Sequence, residues 1–310
     1  MTDLQRLVDD TYAEGFRSIY GEVLITARDE KWLRHCVHAV TGHASSTILC
    51  DCEAGVAQWL PASDTPDGRI GAVVQFHVPR FRKDRREHLE KVMLARISQN
   101  VLTCPTTRCF NHIPVPADAP ESDYFKLGRK IAFFGDRHQF RDERFGEPGW
   151  VIPILAGEFF LSRRFGFADG VMGGNLWFFG PDEEIALDAA ERSSLAVDSV
   201  PGVITTFPGG VAASGSKAGS SYDFTIASTY AEFCPTLRDK LGDQCKLPEG
   251  VQSVMEIIIN GSTLDDLKSA TREAIHAAAG TEGLIRISAG NYGGRLGKSF
   301  IHLHELLDAA

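Results

Sequence analysis

Long apolar runs are missing from this chain. Nowhere do about 18 apolar residues follow one another, and the best candidate, Val151 to Leu161, is broken by Glu158, so no membrane-spanning helix is expected. The opening Met1-Thr2-Asp3-Leu4-Gln5-Arg6 lacks the basic-then-apolar order of a signal peptide. Cysteine is sparse: seven thiols, an odd number with no CxxC pair, predict reduced side chains in a cytoplasmic protein rather than a disulfide framework. Positive charge is also short, with a net charge of -9 and no basic stripe interleaved with aromatics, which argues against nucleic acid as a partner. Motifs for phosphate and acyl-serine chemistry fail as well. Gly210 to Lys217 inserts Ser216 before the lysine of a P-loop, and Gly215 to Gly219 carries lysine where a nucleophile elbow needs serine. His302-Leu303-His304 would set two imidazoles on one face of a strand, and Cys50 and Cys52 share that spacing. Neither pair has an evident third ligand, so no metal site is expected.

What is present suits a folded globular protein: 310 residues, 43% hydrophobic and 24% charged. That length fits two lobes, read here as residues 1–145 and 146–310. In the second, Asn175 to Phe179 reads as a strand and Asp182 to Val197 as a helix with Ile185, Ala189 and Ala196 on one side; Val203 to Phe207 is again a strand. The order then repeats as strand Ser253 to Ile259, helix Leu264 to Ala279 started by Thr263 with Asp266, and strand Leu284 to Ser288. Strand–helix–strand twice over is the split βαβ order, so the predicted class is α+β with ferredoxin-like lobes. The first half permits the same reading: strand Gly21 to Ala27, helix Glu30 to Val40, strand Ser46 to Cys50, a turn at Thr65-Pro66-Asp67-Gly68, strand Gly71 to Val78 and helix Lys83 to Asn100. Asn111 to Asp123, with three prolines, reads as a surface loop.

Two segments and one residue carry candidate chemistry. Phe207 to Thr236 crowds glycine and serine around Lys217, leaving backbone N–H groups and hydroxyls free to meet anionic or carbonyl oxygens, and Tyr222-Asp223-Phe224 within it reads as buried. Ile287 to Gly297 is a second glycine-rich loop, where Asn291 both donates and accepts and Tyr292 offers a flat face; a plain structural turn is the competing reading. Glu256 lies inside the apolar strand Val254 to Ile259. On an edge face such an acid simply meets water; buried, its pKa rises and it stays protonated and able to donate a hydrogen bond.

On these segments the chain resembles the formylmethanofuran:tetrahydromethanopterin formyltransferases. The motifs are FPGGVAASGSK, YDF, AST, CPT, MEIIING, ISAGNYGGRLG and a closing IHLHEL. In the N-terminal half they are LITA with Lys31-Trp32, EAGV at Glu53 to Val56, TPDGR at Thr65 to Arg69, FFGD at Phe133 to Asp136 and GGN at Gly173 to Asn175. The resemblance implies an acyltransferase moving a formyl group between N5 of tetrahydromethanopterin and the amine of methanofuran or an analogue. Both carriers would be substrates; no permanently bound cofactor, metal or covalent acyl-enzyme is implied. It also implies two α+β lobes, an assembly of at least a dimer, and a site near a subunit interface. Relatives in methylotrophic bacteria work in a formyltransferase/hydrolase complex that releases formate, where transfer runs toward formylmethanofuran. Glu256 falls on the glutamate that the family places at the reaction centre; Phe207, Ser214, Ser216, Lys217, Ser228, Thr229, Asn291 and Tyr292 would bind the carriers.

The charge distribution qualifies the resemblance. From Gly180 onward 10 basic residues face 18 acidic ones, while the first 179 residues are nearly neutral and hold the run Arg80 to Lys91, with six basic and three acidic groups. Arginines outnumber lysines 22 to 10, and their forks suit carboxylates. Together these favour the bacterial, formate-producing setting and make Arg80 to Lys91 either a solvated helix face or a strip for a polyanionic partner or cofactor tail. Two alternatives to the transferase stay open: a scaffold subunit without activity, and amide hydrolysis by a metal on His302 and His304.

Overall fold

Apolar runs separated by amphipathic stretches can bury their faces only by stacking helices on a sheet, and this chain does so twice with one topology. The computed structural model describes residues 2–46, 48, 50–295 and 297–308. One unit is built from residues 18–46 and 50–170, and the other from the residues up to 17 and from 171 onward. The division expected at 145/146 differs from the one at 170/171, and the N-terminal segment belongs with the second unit. The boundaries at 17/18 and 170/171 each fall within a long strand, Tyr12–Thr26 and Phe165–Gly180.

In the first unit β1 (Tyr12–Thr26, from Ser18 on) leads to α1 (Glu30–Ala44), β2 (Glu53–Leu60), β3 (Gly71–Pro79), α2 (Arg85–Arg96) and β4 (Arg108–Asn111). All pairs are antiparallel in the order β2-β3-β1-β4, the ferredoxin-like arrangement. Asp29 starts α1 by accepting the Trp32 N–H at 3.1 Å. Of the strand expected at Ser46 to Cys50, the described residues show none: Ser46 and Ile48 lie in turns, Cys50 is in no element, and Thr47 and Leu49 fall outside the described residues. The partner of β3 is instead Glu53–Leu60, whose half-polar pattern suits a strand with one covered face. The helix expected to reach Asn100 ends at Arg96 and continues as a wider π-type turn over Ile97–Val101. The turn at residues 65–68 forms, and there Asp67 accepts Thr26 Oγ1 at 2.8 Å, Arg69 Nε at 2.7 Å and Arg108 Nη1 at 2.9 Å. Three further strands, β5 (Phe140–Arg144), β6 (Glu147–Ile154) and β7 (Gly157–Ser162), form a meander joined to β4 by the parallel β7.

In the second unit the later part of β8 (Phe165–Gly180) is followed by α3 (Glu183–Val197), β9 (Val203–Thr205), β10 (Ser253–Gly261), α4 (Leu264–Ala279) and β11 (Arg286–Ser288). The order β9-β10-β8-β11, again antiparallel, repeats the first topology. β12 (Ser299–His302) pairs with the start of β1 over Tyr12 to Gly15. Thr263 caps α4, its Oγ1 accepting the Asp266 N–H at 3.1 Å. The buried stripe of α4 runs through Leu267, Thr271, Ala274, Ile275 and Ala278, as its spacing predicts. In α3 the stripe is rotated: Ala186, Ala189, Ala190, Ser193, Ser194 and Val197 are buried, while Ile185 and Ala196 are only half-buried. The inward face is small because α3 lies close against α4, with Ser193 Oγ donating to the Ala274 carbonyl at 2.8 Å.

Between β9 and β10 the chain forms only short ladders, one of which pairs Lys217 with Ser228, and short helical turns such as Arg238–Leu241. Tyr222 and Phe224, read from sequence as buried, are 64% and 87% exposed and stack on each other at 5.2 Å. Replacing Leu267 with Ala should lower unfolding free energy by about 2–5 kcal/mol, because a full side chain leaves a sealed core. Ile185→Ala should cost clearly less; equal losses in denaturant melts would contradict the rotated face of α3.

Candidate active site

Antiparallel pairing sets Glu256 of β10 directly across from Trp177 of β8, on the same sheet face, and Asn175 two residues earlier shares that face. The other edge of β10 is not open here, because Val211 and Ala212 pair with Ile257 and Glu256. Glu256 is accordingly 2% exposed, and the solvent-edge reading of this acid does not apply.

The two carboxyl oxygens have different surroundings. Oε1 accepts from Asn175 Nδ2 at 2.8 Å, Trp177 Nε1 at 3.0 Å and Ser216 Oγ at 2.9 Å. Oε2 is buried and has no hydrogen-bond partner among the described residues. Asn175 is held in the donating orientation because its Oδ1 accepts the Gly290 N–H at 3.1 Å. Glycine is required at 290 for space: a Cβ would stand 2.6 Å from Trp177 Cζ2 and 2.8 Å from Asn175 Nδ2. Burial pushes the Glu256 pKa up, against the opposing hydrogen bonds from Trp177, Asn175 and Ser216. With Oε1 occupied by three donors, a proton on this carboxyl belongs on Oε2, where the neutral acid becomes a hydrogen-bond donor.

A cavity of about 90 Å³ adjoins this acid, lined by Glu256, Trp177, Ser214, Thr229, Tyr230 and Cys234 among others. Tyr230 packs edge-on against Trp177, ring centroids 4.8 Å apart, and its hydroxyl meets that of Tyr292 at 2.7 Å. Burial, with the Tyr292 hydrogen bond next, drives the Tyr230 pKa far up. The Tyr292 hydroxyl accepts the Ala218 N–H at 3.2 Å, tying the two glycine-rich loops together. The second loop is anchored by Glu14, a buried carboxylate accepting backbone N–H groups of Tyr292 at 2.5 Å, Gly294 at 2.7 Å and Gly297 at 3.0 Å.

Of the residues expected from sequence, Glu256, Ser214, Ser216, Thr229 and Tyr292 cluster here, Tyr292 through Tyr230. Others are engaged elsewhere. Ser228 donates to the Gly219 carbonyl at 2.6 Å, and Asn291 Nδ2 turns to Thr11 Oγ1 at 3.2 Å and the Tyr12 carbonyl at 3.4 Å. Lys217 sits on the small ladder opposite Ser228. Phe207 does not line the cavity; its backbone takes φ +71° just before Pro208, an unusual conformation for a non-glycine residue. His302 ends β12 and leans on the Tyr12 ring, while His304 lies in the following helix and bonds the Val8 carbonyl at 2.8 Å. They do not share a strand face, and no group of three or more metal-binding side chains occurs among the described residues. Sequence reading missed Asn175, Trp177, Tyr230 and Glu14. A signal existed for the first: Asn175 is a polar residue in an apolar strand, at the two-residue spacing that shares a face with Trp177.

The family model for formylmethanofuran-tetrahydromethanopterin formyltransferase matches residues 3–154, and the model of that enzyme's proximal lobe matches residues 157–306. The chain belongs to this family. It is 42% identical to the formyltransferase of Methanocaldococcus jannaschii over 97% of this chain and 98% of that one, and 41% identical to that of Methanopyrus kandleri over 96% and 97%. Among solved structures it is similar to the formyltransferase from Methanosarcina barkeri, with TM-score 0.89, 39% identity, and 99% and 100% of the two chains covered. It is also similar to a chain of the formyltransferase/hydrolase complex from Methylorubrum extorquens in complex with methylofuran, with TM-score 0.87, 35% identity, and 99% of each chain covered.

The raised pKa has a signed consequence. Native protein keeps a proton on Glu256 that the unfolded chain releases, so this stabilisation is complete below the ordinary carboxyl pKa and is lost as pH climbs through the folded value. Glu256→Gln is permanently neutral and escapes that loss. Its Tm relative to the parent should therefore rise steadily with pH above about 4.5, the ordinary glutamate value; an offset independent of pH would show the pKa to be unshifted.

Proposed function

We propose that this formyltransferase moves its one-carbon unit between the amine of a methanofuran-type carrier and N5 of tetrahydromethanopterin by direct transfer, with Glu256 as hydrogen-bond donor and acid. The observation that carries this reading is the buried Oε2, without a partner beside a cavity while its twin oxygen takes three donors. The nucleophile is already a substrate nitrogen, so no serine or cysteine is needed. The amine attacks the formamide carbon and the carbonyl oxygen gains negative charge. The new C–N bond forms in this attack, with the Oε2–H hydrogen-bonding to the oxyanion. The proton given up by the attacking nitrogen passes to the departing nitrogen, the oxygen re-forms its carbonyl, the old C–N bond breaks, and Glu256 is left protonated as it began. The enzyme's part is alignment and stabilisation of the oxyanion.

Ser214, Ser216 and Thr229 are assigned to the carrier cleft with Tyr230 and Tyr292, while Phe207, Lys217, Ser228 and Asn291 are assigned outer contacts with the longer parts of the carriers. Both carriers act as substrates, without a permanently bound cofactor. The physiological assembly is taken to be a cytoplasmic formyltransferase/hydrolase complex with at least two copies of this chain, running toward formylmethanofuran. The likeness to a chain of such a complex supports this setting. The structure contains no helix long and apolar enough to cross a membrane among the described residues. The run Arg80 to Lys91 is assigned to partner or tail contacts. Part of it is already committed internally: Arg80 pairs with Asp169 at 2.5 Å, and Arg86 donates to the Glu121 carbonyl at 3.0 Å.

The test is transfer between formylated pterin and furan amine, followed by pterin absorbance with the chain alone. Parent protein should turn over. Glu256→Gln, which takes away the Oε2–H, should be slower by roughly a hundredfold to a thousandfold, the scale of losing one oxyanion-site group. Unchanged turnover in the variant would remove Glu256 from the chemistry, and an inactive parent would favour the scaffold reading. Reversing charge at Arg82, Arg85 and Arg86 should weaken complex assembly or carrier affinity; no change in either would free the run of that role.

A further inference from the structure

We infer that the first unit carries a separate pocket for a compact multivalent oxyanion, of oligophosphate or polycarboxylate chemistry. The cavity holds about 150 Å³ and lies among the segment before β5, the meander, and the turn after β7. Lys126, Arg129, Arg141, Arg163 and Arg164 line it, with Glu121 as the single carboxylate. That glutamate is already paired with Lys126. No acid lies within ion-pair distance of the four arginines among the described residues; Glu121, whose pKa is held down first by Lys126 and then by Arg129 and Arg164, is the one carboxylate that five cationic side chains share at the cavity.

Two of these arginines are held in place by other contacts. Arg164 rests 4.6 Å from the Tyr124 ring centroid and donates to the Ala117 carbonyl at 3.1 Å, while Arg141 lies 5.2 Å from the Trp150 ring centroid. Fixed cations repel one another more strongly beside low-dielectric walls, and an anion of matching size relieves that repulsion. Guanidinium forks suit the planar or tetrahedral oxygens of carboxylate and phosphate. Trp150 lines the same cavity and carries Arg141 on its ring face.

The pocket is not made by the run Arg80 to Lys91, whose arginines do not line it. It takes no part in the chemistry assigned to Glu256, so its test stands apart from the transferase assay.

Titration calorimetry of the full chain with pyrophosphate and, separately, with citrate decides the matter. At least one should bind saturably at one site per chain, more weakly as salt is added, and the tighter of the two identifies the oxyanion class. Arg129→Gln with Arg163→Gln should weaken that binding tenfold or more, whereas Arg192→Gln, on α3, should leave it unchanged. As a measurement that needs no loss of charge, anion binding should alter tryptophan fluorescence of the parent, and Trp150→Phe should abolish the change. No saturable binding of either anion, or equal binding by the parent and the double arginine variant, would overturn the inference.

Discussion

One carboxyl group with two unlike oxygens governs the arrangement of the second unit. Glu256 places Oε1 under three donors and leaves Oε2 buried with none among the described residues. Three donors favour the carboxylate, while removal from water favours the acid, and burial prevails because the pKa moves up despite them. The donors thus contribute less to ionising the group than to orienting it: with one oxygen clamped, only the other can carry and present a proton. A neutral acid held in this way is a preorganised donor, the kind of group that a developing oxyanion requires.

The surroundings can be followed outward from that clamp. Trp177 and Asn175 come from a strand paired in register with β10, so their positions are set by backbone hydrogen bonds rather than by loop geometry. Gly290 then fixes the Asn175 amide, and no larger residue fits there. Ser216 arrives from the irregular segment between β9 and β10, which closes over the carboxyl. The Tyr230–Tyr292 hydroxyl pair ties that segment to the second glycine-rich loop, which hangs from Glu14. Strands thus hold the acid and loops surround it.

Much of this was legible in the sequence, for identifiable reasons. The 3.6-residue period of α4 marked its ends and its face because Leu267, Ala274, Ile275 and Ala278 are spaced with little ambiguity. The split βαβ order followed from simple alternation of element types. α3 misled because its inward face is alanine and serine, selected for close helix packing, so Ile185 drew attention to the wrong side. β2 was missed since Glu53 to Leu60 mixes polar and small residues, whereas Ser46 and Ile48 of the more β-branched stretch lie in turns. Glu256 stood out because a charge in an apolar strand is costly. Its partners did not, since the pairing register that sets Trp177 and Asn175 beside it is a long-range property. Tyr222 and Phe224 show the converse error: aromatic identity suggested burial, but both rings are exposed.

The protonation state of Glu256 can be observed directly by comparing infrared spectra of the parent and Glu256→Gln proteins at neutral pH. The account predicts that the difference contains the carbonyl stretch of a protonated carboxyl group, assignable to position 256 because it vanishes in the variant. A difference showing only carboxylate stretches, with no protonated band lost, would mean that the buried acid is ionised and would contradict the donor role from which the transfer chemistry was derived.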